Sequence, residues 1–271
     1  RTRGFLVGGT AGRTTLAGEG LQHQDGNSHL LAYPVPNLIT YDPAFAFELA
    51  VIIRDGVRRM YEEQESVFYY LTVMNENYAM PAMPEGVKEG ILKGMYRFKP
   101  SENKKAKLHA QLFGSGAILN EALKAQKMLE ENYDVAADVW SITSYKELYR
   151  DGHAVERWNI LHPSSEPKVP YVTSCLADAP GVFVAASDYV KALPDSISRW
   201  FPRPLVSLGT DGFGRSDSRR ALRDFFEVDA RFITVAALAT LAREKKIRVD
   251  LVQRAMTDLD INPDKADPAI P

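Results

Sequence analysis

Val-Phe-Tyr-Tyr-Leu-Thr-Val-Met, residues 67 to 74, is a continuous run of β-branched and aromatic side chains, the pattern of a strand covered on both faces. Upstream, Asp42-Pro43 offers an N-cap followed by proline at the first helical position. Phe45, Leu49, Ile52 and Met60 then continue an apolar stripe at helical period, which predicts a helix over residues 43–62. Residues 37–41 form a second short apolar segment ahead of that helix. Strand, helix and strand in this order imply a parallel α/β sheet.

Working outward, residues 4–9 read as a buried strand or strand end with nothing before it to pair with, as expected of a chain that begins inside a domain. Residues 14–19 suit a short helix. Residues 79–94 collect Pro81, Pro84, Gly86, Gly90 and Gly94 and lose strand periodicity, so they read as an interdomain linker. A second α/β unit follows, with strands over 108–113, 137–142, 182–186 and 205–208 and helices over 118–132, 189–201, 216–226, 230–245 and 249–258. Gly114-Ser115-Gly116 stands where a dinucleotide loop would stand, but Leu119 occupies the third glycine position, leaving a plain βα turn.

A chain of 271 residues is long enough for two cores, and 45% apolar with 25% charged residues is the composition of an ordinary folded protein. The net charge of −2 provides no basic surplus for nucleic-acid phosphates and no general attraction to membranes. A single cysteine, Cys175, excludes an internal disulfide, suits a reducing compartment, and among Val172, Leu176 and Ala179 reads as core. No run of 18 apolar residues occurs, and no targeting segment is visible.

Chemistry concentrates near the amino end. Glu19 and His23 are spaced i, i+4, with Asp25 and His29 close behind in a glycine-rich loop. An imidazole titrating near neutrality can donate a proton to a developing alkoxide, and a nearby carboxylate sets its tautomer and basicity. Elsewhere His109, His153 and His162 fall in separate loops and strands without metal-ligand spacing, so no metal site is expected from them. Asn75, Glu76 and Asn77 form a polar cluster at the C-terminal edge of the 67–74 strand, suited to a site or a subunit contact. The 209–214 loop, with Asp211 and with Ser216 as an N-cap beyond it, reads as a structural turn or a subunit contact.

The run from Thr10 to Gly26, Thr-Ala-Gly-Arg-Thr-Thr-Leu-Ala-Gly-Glu-Gly-Leu-Gln-His-Gln-Asp-Gly, resembles the homodimeric pyruvate dehydrogenase family, the first component of the bacterial pyruvate dehydrogenase complex. Tyr-Asp-Pro-Ala-Phe-Ala-Phe-Glu (41–48), Asn-Glu-Asn-Tyr-Ala-Met-Pro-Ala-Met-Pro-Glu-Gly (75–86), Glu-Arg-Trp-Asn-Ile-Leu-His-Pro (156–163) and Leu-Gly-Thr-Asp-Gly-Phe-Gly-Arg-Ser-Asp (208–217) continue the likeness in the same order.

The resemblance implies that residues 1–80 are the later part of a pyrimidine-binding, transketolase-like α/β domain, 81–99 a linker, and 100–271 a transketolase-type C-terminal α/β domain. It further implies thiamine diphosphate-dependent oxidative decarboxylation of pyruvate in a cytoplasmic enzyme of glycolytic carbon flow. The acetyl group would pass to the lipoyl domain of the complex's acyltransferase core, with cofactor sites between the subunits of a homodimer. His23 then falls at the active-centre histidine and Glu19 at its carboxylate companion, with Gln22, Asp25 and His29 near substrate. The family's Gly-Asp-Gly and asparagine motif for diphosphate and Mg2+ is absent, so thiamine diphosphate and magnesium would be held mainly by parts outside this sequence and the chain alone would be inactive. Asn27 stands where histidine is common in these relatives. A transketolase or deoxyxylulose phosphate synthase, whose loop also pairs an acid with a downstream histidine, and a non-catalytic dimerisation or docking fragment remain open alternatives.

Overall fold

The structure is a computed structural model that describes residues 2–18 and 21–270. Strand β1 (Phe5–Gly9), helix α1 (Ser28–Leu31), β2 (Leu38–Tyr41), α2 (Ala46–Val57) and β3 (Phe68–Val73) build a first, three-stranded parallel sheet in the order β1-β3-β2. The aromatic run is thus the central strand, with Tyr69 and Leu71 fully buried. β1 is an edge strand, and its Leu6 and Val7 are 55% and 60% exposed, which corrects the expectation of a buried strand.

The helix starts at Ala46, not at Pro43, because Asp42 is engaged elsewhere. Its backbone N–H donates to Thr143 O at 2.8 Å, its carbonyl accepts from Gly116 N at 3.1 Å, and its carboxylate accepts from Thr72. Glu48 supplies the cap instead: its Oε2 accepts from Ala44 N at 2.6 Å and Phe45 N at 3.1 Å. Beyond Val57 the helix runs into a π turn, Arg58–Glu62.

The chain then crosses α3 (Lys88–Lys93) into β4 (Met95–Lys99), β5 (Leu108–Gly114), α4 (Leu119–Tyr133), β6 (Val135–Ile142), α5 (Tyr145–Leu161), α6 (Tyr171–Leu176), β7 (Val182–Ala186), α7 (Ala192–Asp195) and β8 (Leu205–Leu208), closing with α8 (Arg219–Phe225), α9 (Ala230–Arg243) and α10 (Val249–Asp258). These strands form a second sheet, β4-β6-β5-β7-β8, parallel except for β4. The 79–94 stretch is therefore not featureless. It holds α3, whose left-handed Gly94 (φ +107°) ends the helix and turns the chain into the antiparallel edge strand.

Alternation along the strands assigns the two faces of this sheet. Ala110, Leu112, Val182, Val184 and Ala186 pack with α4, α9 and α10, whereas Phe113, Phe183 and Ala185 pack with α5, α6 and Trp200. Helix α5 begins at the Ser144 hydroxyl, which accepts from Glu147 N at 3.0 Å, and its Gly152 lies against the Trp200 ring. The expected long helix over 189–201 is instead α7 and a 3-10 turn at Ser198–Trp200, divided after the proline-containing Ala192–Asp195 segment. Residues 14–19 form no helix where described. No helix among the described residues is long and apolar enough to cross a membrane.

Polar latches join the two sheets. Glu48 Oε1 accepts from Tyr96 OH at 2.7 Å and Ser141 Oγ at 2.6 Å, carrying α2 onto β4 and β6. Lys146 Nζ, buried, donates to the carbonyls of Ala32, Val35 and Leu38 at 2.7, 2.7 and 2.6 Å, and burial lowers its pKa to about 8.

Candidate active site

The glycine-rich loop emerges from β1 and crosses the C-terminal edge of the first sheet. Leu21–His23 is a single 3-10 turn with no buried side chain, and it presents His23 and Gln22 on the surface. Glu19 lies outside the described residues. Gln24 binds the distant 209–217 loop through both ends of its amide: Oε1 accepts from Arg215 N at 2.5 Å, and Nε2 donates to Arg215 O. Asp25 holds the next turn, accepting from Asn27 N at 3.0 Å, Ser28 N at 2.9 Å and the Ser28 hydroxyl, with Tyr70 OH at 3.5 Å. Its carboxylate thereby nucleates the N-terminus of α1. Asn27 itself is exposed.

His29 points inward. It is 4% exposed, lies edge-on to Tyr189 at 4.8 Å, and its Nε2 is 3.0 Å from Thr72 Oγ1. Thr72 Oγ1 is in turn 2.7 Å from Asp42 Oδ1. One hydroxyl proton serves this chain if His29 Nε2–H donates to Thr72 and Thr72 donates to Asp42, which assigns the tautomer. Burial lowers the His29 pKa to about 4, so the ring is neutral at physiological pH. Burial pushes Asp42 up to about 7, against the Thr72 and Ser115 hydrogen bonds, and its Oδ2 has no partner among the described residues. Asp188, whose two carboxylate oxygens accept from Thr14 N at 3.0 and 3.2 Å, is pushed up to about 6, again by burial first.

Two arginines complete the setting. Arg13 Nη1 donates to the carbonyls of Thr210 and Gly212, and desolvation lowers its pKa. Arg223, 6% exposed, pairs with Glu76 and, at 3.4 Å, with Glu121. Glu76 is thus committed to an internal ion pair that ties the end of β3 to α8. Sequence reading missed Arg13, Asp42, Thr72, Asp188 and Arg223 as partners of the loop. The Thr10 to Gly26 run contains Arg13, but nothing local discloses its partners 197 positions away.

The remaining histidines do not join this site. His153 lies in α5, not in a loop or strand, 5.1 Å from the Trp200 ring, and His162 stacks on Trp158 at 4.4 Å, a packing role. His109 belongs to β5. Among the described residues no group of three His, Cys, Asp or Glu side chains is placed to hold a metal ion. The helix after the 209–217 loop is capped by Ser218, not Ser216, whose hydroxyl accepts from Ala221 N at 3.3 Å.

A parallel sheet and a mostly parallel sheet latched by buried polar groups, with a glycine-rich loop over the edge of the first, define a transketolase-like α/β protein. Residues 94–229 match the family model for the transketolase-like C-terminal domain, and residues 1–81 match that for the pyruvate dehydrogenase E1 component middle domain. The chain belongs to the pyruvate dehydrogenase E1 component family. It is 55% identical over 269 residues to the pyruvate dehydrogenase E1 component of Pseudomonas aeruginosa, a match covering 99% of this chain and 30% of that protein. To the protein of the same name from Escherichia coli K12 it is 51% identical over 272 residues, covering 100% of this chain and 30% of the relative. The chain thus spans about a third of the length of these relatives. Transketolase from Pichia stipitis shares the fold, with a TM-score of 0.63 at 17% identity over 89% of this chain and 30% of that one. A split-gene transketolase, an inactive β4 tetramer, superposes with a TM-score of 0.54 at 18% identity, over 93% of this chain and 67% of that one.

Proposed function

We propose that this chain carries the histidine-bearing part of the active site of a pyruvate dehydrogenase. The enzyme decarboxylates pyruvate oxidatively with thiamine diphosphate and Mg2+ and passes the acetyl group to a lipoyl domain of its complex. The observation that carries this reading is the His23 turn: a surface imidazole next to two residues, Gln24 and Asp25, that are both tied down. When bound, thiamine diphosphate supplies the electron sink for loss of carbon dioxide. In this reading that cofactor and its magnesium are bound mainly by parts of the enzyme outside this sequence.

His23 donates a proton, or a hydrogen bond, to the carboxylate or carbonyl-derived oxygen of the substrate, and Glu19 tunes its basicity. Gln22, exposed on the same turn, lies near the substrate, while Asp25 and His29 support the loop from beneath. Residues 1–80 serve as the later part of the pyrimidine-binding domain and 100–271 as the C-terminal domain, joined through 81–99. The working unit is a cytoplasmic homodimer docked on the acyltransferase core. Identity of 51 to 55% with proteins named pyruvate dehydrogenase E1 component supports this reading over a sugar-phosphate enzyme.

Replacing His23 with alanine in the full-length enzyme is expected to lower pyruvate turnover by about 100-fold or more. Wild-type turnover in that variant would refute the role. Pyruvate consumption that requires an added sugar phosphate would refute the reaction.

A further inference from the structure

The 209–219 segment leaves β8 and meets the glycine-rich loop along its length. Arg13 donates to Thr210 O and Gly212 O, Gly18 N donates to Asp217 O at 3.0 Å, Arg219 Nε donates to Thr15 O at 2.7 Å, and Gln24 binds both polar backbone atoms of Arg215. The contact with Gln24 is the closest of these to His23 in sequence. A Cβ built on Gly214 would sit 2.5 Å from Gln24 Oε1, so a larger residue there would push the amide from its seat on the segment. The 3-10 turn itself has no buried side chain, and the Gln24 N–H to Leu21 O bond, 3.2 Å, closes it. The residue that follows it, Gln24, is seated on the distant segment.

We infer that residues 209–219 are a positioning clasp for His23 and that Gln24 is the positioning residue through which the clasp acts. This rests on the reading of His23 as the proton donor. Gln24 touches no substrate. It fixes the direction of the neighbouring imidazole, as Asp25 fixes the turn on the other side. A reacting group displaced by about 1 Å loses up to 100-fold in rate without weaker ground-state binding, so the signature falls on kcat.

The test is a double-mutant cycle in the full-length enzyme, assayed as carbon dioxide release from pyruvate with thiamine diphosphate and Mg2+ present. Gln24→Ala is expected to lower kcat by about 10- to 100-fold with KM changed less than about twofold. Added to His23→Ala, it is expected to cost nothing further within about twofold, because its effect passes through the missing ring. Gly214→Ala, which presses on the same contact from the opposite segment, is expected to reproduce the kcat loss. Unchanged kcat in Gln24→Ala, or losses that multiply in the double variant while His23→Ala alone is impaired, would overturn the clasp and leave the reading of His23 standing. Full turnover in His23→Ala would overturn that reading and the clasp with it. If Gln24→Ala does not fold, Gln24→Glu takes its place in the cycle, since it keeps the accepting oxygen and loses only the donor to Arg215 O.

Discussion

At the scale of single residues, Asp42 and His29 give the protein opposing responses to pH. A carboxyl raised to about 7 in the fold, from an ordinary value near 4, stays protonated in the native state while the unfolded chain has already ionised. Its contribution to stability is fully present below about pH 4 and is lost as pH rises through 7. His29, lowered to about 4 from about 6.5, works the other way, contributing fully above 6.5 and losing its contribution as pH falls towards 4. Between pH 4 and 6.5 the two slopes offset each other, although Asp188 adds to the Asp42 side up to about 6. Asn at position 42 removes one side of this balance. Relative to wild type, Asp42→Asn is expected to gain stability steadily from pH 5 to pH 7, by up to about 1.4 kcal/mol per pH unit. Urea denaturation at pH 5, 6 and 7 reads the difference directly, and parallel curves for the two proteins would contradict it.

At the scale of elements, α2 shows what local sequence discloses and what it conceals. Its apolar stripe at Phe45, Leu49, Ile52 and Met60 is visible in the spacing; Phe45, Ile52 and Met60 are buried and Leu49 is half-buried. Its start is not visible. Asp-Pro ahead of such a stripe is what a cap looks like, yet Asp42 is drawn away by Thr143 and Gly116, more than 70 residues further along the chain. Glu48 takes over the cap and is also the acceptor for Tyr96 and Ser141, so four donors converge on one buried carboxylate whose pKa burial raises. Glu48→Ala leaves those donors without a partner and is expected to cost about 3 to 5 kcal/mol, as for other broken buried charged networks. Glu48→Gln, which keeps an accepting oxygen, is expected to cost less. Thermal or urea unfolding of the two variants checks the order, and an equal loss would contradict it. The strands of the second sheet were legible because β7 is apolar on both faces and β5 carries Leu108, Ala110, Leu112 and Phe113. Helix α5 was not read, although Ser144 and Glu147 bracket its first turn, because its face mixes charged side chains with a narrow apolar stripe.

For the whole molecule, the glycine-rich loop stands out in the sequence as a candidate site through its Glu, His and Asp content, whereas the polar seam beneath it does not. That seam draws Asp42 from the end of β2, Thr72 from β3 and Asp188 from beyond β7, and no window of sequence contains all three. The exposed edge strand belongs to this scale as well. In β1, Leu6 and Val7 face solvent on a strand paired along one side only. Such an edge pairs readily with another chain. The isolated 271-residue chain is expected to self-associate in a concentration-dependent way, and Leu6→Lys with Val7→Lys to suppress this. Light scattering across a dilution series reads the change, and a monodisperse wild-type chain would contradict it.

The bond between Gln24 and Arg215 spans 191 positions. A ribosome adding about 5 to 20 residues per second needs roughly 10 to 40 s to deliver the second partner after the first. Throughout that interval the nascent first sheet lacks the tie that Gln24 makes to the later segment. Under the proposed reading of His23, its surroundings are therefore completed only after Arg215 has been made.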